Sequence, residues 1–272
     1  MKQNLRKWMD ATMFLVAFLL IQIIVGIIVG LFFHNDLNTS PTPVIIISLA
    51  SSLLTIILFA WRKWLPITRS YLQTRPWTAL LWVVIMTLGT VIPSQWMEEV
   101  LNLKMPEDLE RLMTQILSNP WGYIAIGILV PLAEEIVFRG AILRTLLAIF
   151  PKGQHWVAII ISAVVFGAAH GNMAQFFHAA LLGLLLGWMY WRTGSIVPGV
   201  VLHWVNNSVA YIITRLWPDM ADASLIDIFK GNEHNVWLAV GFSLLIFLPA
   251  LYQLSIRLKK PAAQPVEKSE QE

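Results

Sequence analysis

Residues 121–150 read WGYIAIGILVPLAEEIVFRGAILRTLLAIF. Both flanks of this stretch are apolar enough for a lipid interior, yet Glu134, Glu135 and Arg139 lie at its centre. Charged groups within a membrane span cost about 2.5–3.5 kcal/mol each on insertion scales and by default mark function. The stretch therefore poses two questions: whether its surroundings are a membrane bundle, and what holds three ionisable groups inside it.

Composition answers the first. The chain has 272 residues, 57% hydrophobic and 13% charged, against about half and a quarter in soluble domains. Its mean hydropathy is +0.66, and its 13 tryptophans suit the membrane–water interface. It has no cysteine, which excludes a disulfide framework, a thiol nucleophile, a lipidated thiol and a Cys-ligated metal. A formal net charge of +3 reflects loop charge and gives no sign of nucleic acid. The N-terminus has a basic start and a run of about twenty apolar residues. That run is too long for a signal peptide and no small-residue cleavage site follows it, so it reads as a retained first helix.

A span needs about 20 apolar residues. The candidates are 11–33, 43–61, 77–93, 119–149, 156–171, 174–191, 196–214 and 236–256, so the expected fold is an all-α, polytopic bundle of about eight transmembrane helices. Pro131 is expected to kink the fourth. Segments 94–118 and 215–235 are polar and expected outside the bilayer. With the N-terminus inside, fourteen Lys and Arg fall on cytoplasmic segments and four on external ones, with Arg139 left in the membrane. Both termini are therefore expected in the cytoplasm. The chain divides into N-terminal spans and an external segment (1–117), a core (118–215), a last span (216–260) and a disordered polar tail (261–272). Gly26/Gly30 and Gly183/Gly187 have the spacing of close helix packing.

The intramembrane polar groups are few: Glu134, Glu135 and Arg139; Phe166 and His170 in FGAAH; His203, Asn206 and Asn207 in HWVNN. Glu135/Arg139, Phe166/His170 and His203/Asn207 are each i,i+4, so three segments each present a pair on one face. Arg139 can neutralise Glu135, leaving Glu134 without a local partner. Glu134 and His170 each lie about 15 residues from the PKGQH turn, roughly 22 Å, and so are level. His203 is only about eight residues beyond the RTGS turn, roughly 12 Å, a mismatch unless its helix begins deeper, after Pro198-Gly199.

These groups support two routes to peptide hydrolysis. Glu134 can act as general base on a water that His170 orients, with His203 and Asn207 donating to the oxyanion. Alternatively Glu134, His170 and His203 can ligate zinc, with water in the fourth position. No H-E-x-x-H motif is present.

Taken in order, EEIVFRG, FGAAH and HWVNN resemble the E-E-x-x-x-R, F-x-x-x-H and H-x-x-x-N motifs of the CAAX-protease and bacteriocin-processing (CPBP, or Abi) family, over about residues 118–215. TGSIVPG before the last motif is also similar. The resemblance implies an eight-helix intramembrane endopeptidase. Within it Glu134 would be the base, His170 would help activate water, and His203 and Asn207 would form the oxyanion hole. Glu135 and Arg139 would hold geometry and Phe166 would pack against the site. The family was long described as metalloproteases; a metal-free glutamate mechanism is favoured for its prenyl-processing branch, and no cofactor is the preferred expectation here. The expected partners are the bilayer and a membrane-associated peptide or protein, the expected location a bacterial plasma membrane. A prenylated substrate is not assumed, since bacterial relatives are linked to peptide maturation and bacteriocin immunity.

The plainer readings stand beside these. Glu135/Arg139 can be a structural pair, Phe166 core packing, Asn206 a packing residue and Asn207 polar glue between helices. His34, His155, His178 and His234 complete no motif. Glu98/Glu99 and Glu107–Glu110 read as a solvated external face. Two other functions compete with the enzyme: a proton-coupled transporter and a non-catalytic immunity or scaffold protein.

Overall fold

The structure, a computed structural model, describes residues 2–33, 40–66, 71, 77–221 and 223–259. His34 and the tail 261–272 lie outside these. Among the described residues there are helices and turns and no strand. In chain order the helices are α1 (Lys2–Phe33), α2 (Pro41–Trp61), α3 (Thr78–Val100), α4 (Glu107–Leu117), α5 (residues 120–147), α6 (His155–Ala168), α7 (Met173–Thr193), α8 (Val197–Leu216) and α9 (Glu233–Arg257), with short helical turns at Pro218–Ala221 and Leu225–Ile228.

All the spans expected from the sequence are helical, but only five cross a membrane by length and composition alone: α1, α2, α3, α7 and α9. The other three are α5, which changes helical register along its length; α6, 14 residues long; and α8, which carries His203, Asn206 and Asn207. The helices that fall short are those that hold the intramembrane polar groups. The five long helices turn apolar faces outward, with Leu31 66% and Leu245 68% exposed. An exposed apolar girdle of this extent belongs against lipid. The molecule is a multi-pass helical membrane protein.

Contacts between loop residues show that the passes alternate. At one end Lys7 Nζ donates to the Ala148 carbonyl at 2.7 Å. Arg144 donates to the Trp64 carbonyl at 2.7 Å, and Arg192 to those of Ser255 and Leu258. His155 stacks on Trp191 there. At the other end Arg215 reaches the Ser118 carbonyl and the Leu225 N–H donates to Glu99. Basic side chains thus satisfy carbonyls at or near helix C-termini, where the helix dipole also favours a cation.

Three expectations need correction. First, α3 does not stop at residue 93; it continues through Pro93 to Val100, with Thr90 and Ser94 hydroxyls bonded back to preceding carbonyls. Second, Glu98 and Glu99 are not simply solvated. His178 Nδ1–H donates to Glu98 at 2.9 Å, and Glu99 caps the turn at Leu225. Third, Gly26 is not a packing contact, since an added Cβ would meet nothing within 4 Å.

Gly183 and Gly187 do mark close packing, of α7 on α6. A Cβ at Gly183 would lie 2.9 Å from the Ala163 Cβ and 3.3 Å from Arg139 Nη2. Gly183→Val should therefore destabilise by about 1–3 kcal/mol through overpacking, read as a lower melting temperature in lipid nanodiscs. Gly26→Val should leave it within error of the parent.

Candidate active site

α5 is not a uniform α-helix. Tyr123–Leu129 and Glu135–Leu143 are π-helical, with an α-helical link at Val130–Glu134. The kink expected at Pro131 is absorbed as a change of register, a feature that often accompanies functional sites. Glu134 ends the link and Glu135 begins the second π segment, so the two carboxylates leave the helix in different directions.

Glu135 is fully buried, and its Oε1 accepts from Arg139 Nη1 at 2.8 Å. The i,i+4 pairing expected from the sequence survives the π register. Arg139 is equally buried. Its guanidinium lies 4.3 Å from the centre of the Phe166 ring and 3.5 Å from the Gly183 carbonyl. The other Glu135 oxygen lies against the first turn of α8 at Gly199, where an added Cβ would fall 2.3 Å from Oε2. A helix N-terminus carries partial positive charge, so Glu135 is flanked by a guanidinium and a helix dipole.

His203, on α8, stands between the two carboxylates. Its Nε2 is 3.6 Å from Glu134 Oε2 and its Nδ1 is 3.8 Å from Glu135 Oε1. Both are ion-pair distances, longer than hydrogen bonds. The depth mismatch disappears because the two turns differ in burial. Residues 151–154 are exposed, whereas Ser195 and Ile196 are 1% and 3% exposed. α8 begins inside the bundle, and Gly199 lets its first turn close on Glu135.

Glu134 differs from Glu135 in its neighbours. Its side chain is 12% exposed against 0%, and it makes no ion pair with Arg139 among the described residues; Oε2 of each carboxylate and His203 Nδ1 have no hydrogen-bond partner there. Buried polar atoms left unsatisfied in a native fold call for an explanation.

His170 lies just beyond the end of α6, in a turn. Its Nδ1 is 2.9 Å from the Phe166 carbonyl. A carbonyl only accepts, so Nδ1 carries the proton and Nε2 is left to interact. Among the described residues no ion pair joins His170 directly to Glu134. Phe166 links the two imidazoles: its ring meets His170 at 5.1 Å and His203 at 5.8 Å, both edge to face. Phe166 is core packing, as read from sequence, and also the surface on which both imidazoles and Arg139 rest.

Asn207 Nδ2 donates to the Ile126 carbonyl at 2.9 Å, and its Oδ1 accepts from Asn206 Nδ2 at 3.1 Å. Asn206, Gly199 and the Ile126 carbonyl were not singled out by motif spacing. Only Pro131, five residues after Ile126, hinted at the last.

Among the described residues no three His, Asp or Glu side chains form a group that could hold a metal ion. Glu134 and His203 are adjacent, and His170 bonds the Phe166 carbonyl through Nδ1, which leaves its Nε2 open.

The arrangement offers one carboxylate neutralised by arginine, a second one residue away without such a cation, an imidazole between them, another imidazole with a free nitrogen, and an amide. Residues 116–209 match the family model described as Type II CAAX prenyl endopeptidase Rce1-like. Over 107 residues the chain is 27% identical to "Putative membrane peptidase YdiL" of Bacillus subtilis (strain 168), covering 39% of this chain and 43% of that protein. The match therefore spans less than half of the relative's own length. No solved structure matches.

Proposed function

We propose that this chain, whose residues 116–209 match the Type II CAAX prenyl endopeptidase Rce1-like family model, is an intramembrane endopeptidase of the metal-free glutamate type. Its substrate is a peptide bond in a membrane-associated protein or peptide. The observation that carries the reading is the asymmetry of the adjacent carboxylates: Arg139 pairs directly with Glu135, while the ion-pair partner of Glu134 among the described residues is His203.

In this reading Glu134 removes a proton from a water that His170 Nε2 orients by accepting its other hydrogen. The resulting hydroxide adds to the scissile carbonyl. His203 and Asn207 donate N–H to the oxyanion, work worth about 10²–10³ in rate for one such donor. Collapse breaks the C–N bond, and the proton on Glu134 passes to the leaving amine. No covalent enzyme intermediate forms. The excess of arginine and lysine on one set of connecting segments supports cytoplasmic termini, and the reading takes the membrane to be a bacterial plasma membrane.

The test compares membrane and secreted peptides by mass spectrometry with and without the protein, then repeats cleavage of an identified peptide in proteoliposomes. His203→Ala is expected to slow cleavage by about 10²–10³. A chelator should leave the parent rate unchanged. A loss on chelation that zinc restores would replace the glutamate route with the metal one. Parental rates in His170→Ala and His203→Ala would remove the reading.

A further inference from the structure

Pro131 lies inside α5, five residues after Ile126. A proline has no N–H, and in an α-helical register its ring would collide with the carbonyl four residues back, that of Gly127. The chain upstream is instead in the wider register, and the Val130 N–H bonds to the Ala125 carbonyl, five residues back. In that register the donor for the Ile126 carbonyl is the N–H of residue 131, which proline lacks. The carbonyl is satisfied across the bundle by Asn207 Nδ2. The oxygen of the same amide accepts from Asn206. The two bonds agree on one orientation of the Asn207 amide. An amide nitrogen has two N–H groups, so one remains, on the α8 face that carries His203 one turn earlier.

We propose that Pro131 and Asn206 are positioning residues for Asn207: the proline withholds a backbone donor so that the Ile126 carbonyl captures the amide, and Asn206 fixes its oxygen, which leaves the second N–H for the substrate oxyanion. The kinetic half of this rests on the peptidase reading; the structural half does not.

The experiment is a double-mutant cycle on the full chain in nanodiscs. In the parent, Asn207→Ala orphans the Ile126 carbonyl, and the melting temperature should fall by roughly 2–4 °C. In Pro131→Ala the backbone N–H of residue 131 is restored and takes that carbonyl, so adding Asn207→Ala should cost nothing measurable. Equal falls in both backgrounds would overturn the proposal. Kinetically, with a quenched peptide that the parent cleaves, Pro131→Ala should lower kcat by roughly 10–100-fold with KM held, while its melting temperature stays at or above the parent's. Asn206→Ala should move kcat in the same direction. Parental kcat in Pro131→Ala also overturns the proposal. If the parent cleaves no peptide, or Glu134→Ala cleaves as fast, the peptidase reading falls and the thermal cycle alone decides the positioning of Asn207.

Discussion

Glu134→Gln is expected to reduce peptide cleavage by about 10²–10⁴-fold, the contribution of a positioned general base, while the protein remains at least as stable as the parent. The two halves of this result come from one arrangement. The Glu134 side chain is largely buried, and among the described residues its Oε2 has no hydrogen-bond partner and no arginine forms a direct ion pair with it. A group placed for stability would have a direct cationic partner, as Glu135 has in Arg139. Burial of a charge without a full partner is costly, so an isosteric amide should not lower the melting temperature. Loss of activity together with loss of fold would assign Glu134 a structural role. Retention of activity within a few-fold would end the general-base assignment. Cleavage rates and thermal unfolding of Glu134→Gln and parent, measured side by side in nanodiscs, distinguish these outcomes. A transporter would not show the first half of the result, since it has no peptide product to lose.

Local periodicity made part of this site readable from the chain alone. The Glu135–Arg139 and Phe166–His170 contacts are i,i+4, and residues so spaced share a face in either helical register found here. The apolar runs gave the helices because lipid-facing segments have no competing solution for their backbone polar groups. What periodicity could not give was depth. His203 counts as shallow from its turn, and it reaches Glu134 only because Ser195 and Ile196 are buried and Gly199 has no Cβ. Pairings across the bundle were also hidden: Glu98 meets His178 80 positions away, and Asn207 meets Ile126 81 positions away. Three spans are not recognisable by length and composition: α6 is short, α5 is broken by its π segments and α8 carries polar residues; the segments hardest to recognise as spans are the ones that hold the site.

Arg139→Met should give the largest loss of stability, about 3–5 kcal/mol, the usual cost of removing one partner from a buried ion pair. Arg139 is fully buried and its contacts are specific: the Glu135 carboxylate at 2.8 Å, the Phe166 ring at 4.3 Å and the Gly183 carbonyl. Methionine keeps the length and apolar stem, so little packing is lost. What remains is Glu135, with a charge in the bundle interior that has lost its arginine and keeps only the first turn of α8 and the His203 ring, at 3.8 Å, near it among the described residues. The partner experiment is Glu135→Gln combined with Arg139→Met. Removing both charges should restore most of the stability, because a buried pair replaced as a unit is often neutral or stabilising. Activity should not return. Glu135 lies 3.8 Å from His203 Nδ1 and against Gly199, so its carboxylate helps set where the imidazole stands relative to Glu134. Thermal unfolding of the two variants with matched cleavage assays separates the roles. A double variant as unstable as Arg139→Met would show that the guanidinium acts through Phe166 and Gly183 instead of through charge. A double variant with parental cleavage would show that Glu135 serves the fold alone.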